Sequence, residues 1–161
     1  MTEGTVEKLV AALDYPMVVV TAVADGERRG CLVGFSTQCS IHPPRFAVFV
    51  SQRNATHEVA LRSPVLAVHF LGDDDRDLAE LCGAETADDI DKFAHCEWDE
   101  GPQGVPLLRS CAGYVVGRVL RHDDAGDHTL FLVEAIAAEQ RRAFSQLGFQ
   151  SVKDMDPGHE A

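Results

Sequence analysis

Residues 30–50 read Gly30-Cys-Leu-Val-Gly-Phe-Ser-Thr-Gln-Cys-Ser-Ile-His-Pro-Pro44, then Arg45 and the apolar run Phe46-Ala-Val-Phe-Val50. The pattern is a strand, a hydroxyl-rich bend, a Pro-Pro brake and a second strand. Proline lacks an N–H and restricts the residue before it, so Pro43-Pro44 ends one element before the next begins. Small polar side chains and free backbone amides therefore collect where two strands part. Directly after comes Ser51-Gln-Arg-Asn-Ala-Thr-His57, which opens a helix with Asn54 as its N-cap. Unpaired N–H groups and the helix dipole favour anions at such a terminus. Bend and helix start together suggest a cradle for a phosphate-bearing cofactor with a planar ring.

The flanking elements are short. Val6, Leu9, Val10 and Leu13 recur at helical spacing, predicting an amphipathic lead helix that stops before Tyr15-Pro16. Met17 to Ala24 is rich in β-branched residues and ends at Asp25-Gly26, a hairpin signal, with strand resuming at Arg29 to Val33. Strand is expected again from Arg45 to Val50. The helix from Asn54 to Arg62 is expected to turn Val59 and Leu61 inward, and Ser63-Pro64 ends it before a strand from Val65 to Leu71. The acids of Asp73 to Asp77 load the start of a helix that carries Leu78 and Leu81 and closes at Gly83, and their charges read as solvated. Ala84 to Pro106 reads as an irregular acidic loop, the kind that is functional or a lid, with Trp98 inside it as packing anchor or cover. Strands at about Cys111 to His122 and His128 to Ala138 close the domain, and the tail from Glu139 ends loosely over Asp156 to Ala161.

Six or seven hairpin-linked strands with short helices predict a mainly β fold, an antiparallel barrel that is closed or nearly so. At 161 residues the chain suits one domain with one core, its centre spanning about residues 15–139. Net charge is −12, from 26 acidic against 14 basic residues, which argues against nucleic acid or an anionic membrane as the main partner. Any bound phosphate must then be held locally. The five cysteines, Cys31, Cys39, Cys82, Cys96 and Cys111, include no C-x-x-C pair, so neither disulfides nor a metal site are expected. The first residues have neither a basic nor an apolar leader segment, and the expectation is a reduced, cytoplasmic protein.

Thr21, the Gly30-to-Pro44 segment, Ser51/Asn54/Thr56, Asp91-Lys-Phe93, Trp98 with Gly101, Pro106-Leu107 and Gly126-Asp-His128 occur in an order and spacing with a family likeness. From about Tyr15 to Glu139 the chain resembles the flavin reductase-like family, FMN-binding split-barrel reductases that supply reduced flavin to partner oxygenases. The resemblance implies that Gly34, Phe35, Ser36, Thr37, Gln38, Cys39 and Ser40 border the isoalloxazine and ribityl chain. It implies that Ser51, Gln52, Arg53, Asn54, Thr56 and His57 take the phosphate end, and that Lys92 and Phe93 approach from the loop. His128 would be the catalytic residue that meets the nicotinamide. It further implies FMN (or FAD) as cofactor, NADH or NADPH as hydride donor, a homodimer and a flavin-dependent monooxygenase partner. Arg28-Arg29 and Arg141-Arg142 are the arginine pairs that a 2′-phosphate could use.

Hydride transfer between two stacked rings needs positioning more than acid–base groups, because the cofactor carries the reactivity. The absence of a Ser-His-Asp set or a carboxylate pair suits this. Two other readings stand beside it: a flavin carrier or sensor without turnover, and a related split barrel built for haem or a deazaflavin. Ser36, Thr37 and Ser40 also suit local turn bonding, and His69, inside an apolar strand, reads as a satisfied core histidine.

Overall fold

Burial on both faces of one strand organises the molecule. In the computed structural model, which describes residues 2–83 and 91–155, β1 (Val18–Ala24) is buried at every position. It pairs with β2 (Glu27–Val33) through a tight turn in which Asp25 and Gly26 have φ of 53° and 76°, the conformation that an Asp-Gly hairpin supplies. Side chains alternate across a strand. Val18, Val20, Ala22 and Ala24 accordingly join the inner core with Cys31, Val33, Val48, Val50, Leu66, Val68, Phe131 and Val133. Val19 and Val23 point the other way, into outer layers around Leu71 and Leu107.

The remaining strands are β3 (Ser36–Ser40), β4 (Arg45–Ser51), β5 (Val65–Phe70), β6 (Trp98–Glu100), β7 (Pro106–Leu108), β8 (Gly113–Asp124) and β9 (His128–Gln140). Seven form one antiparallel sheet in the order β2-β1-β5-β8-β9-β4-β3, while β6 and β7 make a small hairpin outside it. β2 and β3 are consecutive in the chain, joined by Gly34 and Phe35, yet they stand at opposite ends of the ladder. The sheet wraps round one inner core and remains open between these two edges. This is the expected split barrel.

The helices α1 (Thr5–Ala11), α2 (Ala55–Arg62) and α3 (Arg76–Gly83) are short. Asn54 caps α2 by accepting from the Thr56 N–H at 2.9 Å, and Thr56, Val59 and Ala60 form its buried face. Leu61, expected inward, is exposed, because it lies a further 100° round the helix from Ala60. The lead helix also departs from expectation: Val6, Leu9, Val10 and Leu13 are all exposed and no residue of α1 is buried.

Three other readings change. Residues 36–40 form an edge strand rather than a bend, since β4 offers them a ladder from Ser36↔Val48 to Ser40↔Arg45. The acidic run is not all solvated: Asp75 is buried, accepts from the Gly72 N–H at 2.8 Å and pairs with Arg142 at 2.7 Å. The expected irregular loop is ordered from residue 91 onward, as a 3-10 turn Lys92–Ala94 and the β6–β7 hairpin, with residues 84–90 outside the described residues. Trp98 serves there as a packing anchor, its indole N–H donating to the Phe93 carbonyl at 3.1 Å and the Arg28 guanidinium lying 4.8 Å over its ring.

The tail folds back. Leu147 donates its N–H to the Leu71 carbonyl and accepts from the Met17 N–H, and the Phe149 N–H reaches the Tyr15 carbonyl. Leu147 and Val152 are buried by this return. The loose end expected over 156–161 lies outside the described residues.

Candidate functional site

The split between β2 and β3 opens onto a cavity of about 350 Å³ lined by Tyr15, Met17, Cys31, Leu32, Val33, Gly34, Phe35, Phe49, Ser51, Asn54, Cys82, Gly83, His128, Phe149, Val152, Lys153 and Met155. Each wall has a local cause. Gly34 lets the chain leave β2 beside Tyr15: a Cβ there would stand 2.7 Å from the Tyr15 ring. Phe35 is then fixed by its carbonyl, which accepts from the Phe49 N–H at 3.0 Å. Antiparallel register sets Ser51 of β4 opposite His128 of β9, and Asn54 follows at the cap of α2.

Aromatic rings run along the cavity. Phe149 stacks on Tyr15 at 4.7 Å, Tyr15 meets Phe35 at 6.1 Å, and Phe35 meets the His128 ring at 5.0 Å. The His128 Nδ1–H donates to Asp127 Oδ1 at 2.7 Å, which fixes that tautomer and leaves Nε2 as the nitrogen free to meet a ligand. This hydrogen bond, reinforced by charge, holds the Asp127 carboxyl below its ordinary range. Two thiols lie in the wall, and burial pushes Cys31 up to about 11 and Cys82 up to about 12. Both stay protonated at neutral pH and are not nucleophiles.

The sequence-named residues separate into groups. Gly34, Phe35, Ser51, Asn54 and His128 line the one cavity. Ser36, Thr37, Gln38, Cys39 and Ser40 lie outside its lining, on edge strand β3, where Thr37 Oγ1 donates to the Gln38 carbonyl and Gln38 Nε2 to that of Ser40. Gln52 and His57 meet at Thr129 Oγ1, at 3.3 and 2.7 Å, tying α2 to β9. Burial and the charge of His122 hold the His57 imidazole below its ordinary value. Arg53 donates its N–H to Ser51 Oγ at 3.3 Å. Thr56 is buried, its side chain beside Cys31. Lys92 is buried too, its ammonium donating to the carbonyls of Gly30 at 3.0 Å and Cys82 at 2.9 Å, behind the cavity wall. Phe93 packs edge-on to Trp98 at 5.6 Å in the outer layer.

The sequence pattern did not mark Tyr15, Phe49, Cys82 or the tail residues of the lining as part of a site. Tyr15 precedes a proline and looks like a helix terminator. Phe149, Val152 and Met155 carry a weak helical spacing that could have marked a packed segment, though not its place beside β2.

Fold and cavity can be set beside known proteins. The sequence pattern of the flavin reductase like domain matches residues 10–153. The chain belongs to this family. NADH:riboflavin 5′-phosphate oxidoreductase of Streptomyces pristinaespiralis is 31% identical over 124 residues, 76% of this chain and 69% of that protein. The reductase component of 4-nitrophenol 4-monooxygenase/4-nitrocatechol 2-monooxygenase of Rhodococcus opacus is 28% identical over 123 residues, 76% of this chain and 64% of that protein. The solved NADH:FAD oxidoreductase of Streptomyces globisporus shares the fold with a TM-score of 0.82 at 24% identity, covering 92% of this chain and 90% of that one.

The family's cofactor class fits the residues present. A flavin is a planar ring with one polar edge and a phosphate arm. The cavity has ring-bearing and aliphatic walls, a few convergent polar groups and, among its described lining, no acidic side chain. No group of His, Cys, Asp and Glu side chains that could hold a metal ion is found among the described residues. The arrangement can hold and orient rings.

Proposed function

We propose that this chain is an NAD(P)H-dependent flavin reductase in which the cavity at the barrel split holds FMN or FAD. The observation that carries the reading is that cavity, aromatic-lined and with no acidic side chain among its described lining in a chain of net charge −12, in a fold of this family. When bound, the flavin supplies the hydride-accepting ring. The protein orients: Phe35 offers an exposed aromatic face, and Ser51 and Asn54 offer hydroxyl and amide groups to a polar edge. His128, steered by Asp127, presents Nε2 for the carboxamide of the nicotinamide. The neutral thiols and apolar walls exclude water from the ring site.

The same reading makes the chain a homodimer, for which the unburied apolar side of α1 and the exposed Ile41 beside β3 are the support. It also hands reduced flavin to a monooxygenase. A reducing, cytoplasmic setting agrees with five free cysteines, and no helix among the described residues is long and apolar enough to cross a membrane.

The test is NAD(P)H oxidation by the purified chain with FMN, FAD, riboflavin or no flavin. Flavin-dependent turnover is expected. Flavin binding without turnover would replace the reductase with a carrier, and absence of binding would remove the flavin altogether.

A further inference from the structure

The returning tail brings one full positive charge to the cavity. Lys153 lines it, is exposed, and has no hydrogen-bond or ion-pair partner among the described residues. Four backbone N–H groups and most of the other cations near it are already engaged. At the start of α2 the Arg53 N–H goes to Ser51 Oγ, the Asn54 N–H to the Ser51 carbonyl, the Thr56 N–H to Asn54 Oδ1 and the His57 N–H to the Asn54 carbonyl. Arg28 and Arg29 pair with Glu100 and Glu27, and Arg142 with Asp74 and Asp75. Arg141 donates to the carbonyls of Leu108 and Arg109, and Lys92 is enclosed by two carbonyls. Arg53 is also partnered. A phosphate dianion approaching a chain of net charge −12 needs a local cation, and Lys153 is placed to be that cation.

We infer that Lys153 is the ammonium partner of the flavin's phosphate, making the C-terminal segment an element that separates phosphorylated from unphosphorylated flavins. The inference rests on the flavin reading above and adds the residue that selects among flavins. Asp154 follows it in sequence but does not line the cavity, so the charge presented to the ligand is the ammonium.

The test is flavin fluorescence quenching with FMN and riboflavin, on the wild-type chain and on Lys153→Met and Lys153→Arg. Lys153 is exposed, so both variants should fold, which a melting curve checks. Loss of one charge-assisted contact predicts about a tenfold rise in the Kd for FMN in Lys153→Met. Riboflavin affinity should stay unchanged, Lys153→Arg should restore most FMN affinity, and added salt should shrink the difference. Equal FMN affinity in wild type and Lys153→Met would overturn the inference. So would equal losses for both flavins, which would mean tail packing, or an effect confined to the KM for NAD(P)H, which would give the ammonium to the dinucleotide. A wild-type chain that binds neither flavin would remove the flavin reading itself, an outcome distinct from all of these.

Discussion

Two histidines show how differently the two sides of this sheet are built. His69, on β5, is fully buried in the layer under β7. Its Nδ1–H donates to the Val19 carbonyl at 2.9 Å and its Nε2 accepts from the Leu108 N–H at 3.1 Å, so one ring bridges three strands. His128 begins β9 with one nitrogen held by Asp127 and its ring against Phe35 at the cavity. The first is a strut with nothing left to offer; the second keeps a nitrogen for a ligand. The difference lies in what covers each ring. The β6–β7 hairpin seals His69, whereas the ladder is open where His128 stands.

The sharpest way to break this contrast is to remove the strut. His69→Ala should leave the Leu108 N–H and the Val19 carbonyl buried and unpaired beside a cavity, costing about 4 kcal/mol. For a chain of this size that is a fall in Tm of about 10 °C. A calorimetric loss below about 3 °C would show that the ring is not structural.

Acid should act through the same ring. Burial, and to a lesser degree the charge of Arg141, pushes the His69 imidazole down to about 4 against the opposing effect of the Val19 hydrogen bond. The unfolded chain, with an ordinary histidine near 6.5, takes up the proton first. Stability is therefore complete above about pH 6.5 and falls as pH drops toward 4. The loss is about 3 kcal/mol over that window if His69 alone is responsible. Denaturant midpoints measured across the window check this, and His69→Gln should flatten the slope. An equally steep slope in that variant would assign the titration elsewhere.

The smallest effect on stability belongs to the other histidine. His128→Ala should change the folding free energy by about 1 kcal/mol or less, because the ring spans no strands. It should raise the KM for NAD(P)H about tenfold with flavin Kd near wild type. Unchanged kinetics, or a Tm loss matching that of His69→Ala, would dissolve the distinction between strut and ligand-facing group.

How much of this was legible in the chain depends on the range of the contacts involved. Asp25-Gly26 marks its hairpin and Asn54 its cap because both effects act within a few residues. The β-branched residues in Val18 to Ala24 give a strand, and the lack of any charge among them suits the burial of all seven positions. His69 was legible as a core residue from its apolar neighbours. The hydroxyls of Ser36 to Ser40 were misread as a bend because whether a polar stretch turns or extends depends on a partner strand, and β4 was there to pair it. Leu61 and the apolar stripe of α1 follow the same rule: periodicity gives a face, and only a neighbouring surface decides whether that face is covered. The tail was the least legible element. Gln150 bonds to Asp14 and to the carbonyls of Ala11 and Leu13, contacts across most of the chain that no local pattern announces.

By itself, then, the sequence determined what short-range physics can specify: a mainly β chain, its hairpins and caps, an acidic surface and the neighbourhood of Gly34, Ser51 and His128. The tertiary structure decided which of these groups share a cavity, which hydroxyls and amides are already consumed by the backbone, and that Tyr15, Phe149 and Lys153 arrive from the two ends of the chain to complete it. A cavity is a relation between elements that become neighbours only after the sheet has wrapped. Its composition is fixed by strand order and register, and those are set by long-range burial rather than by any one segment.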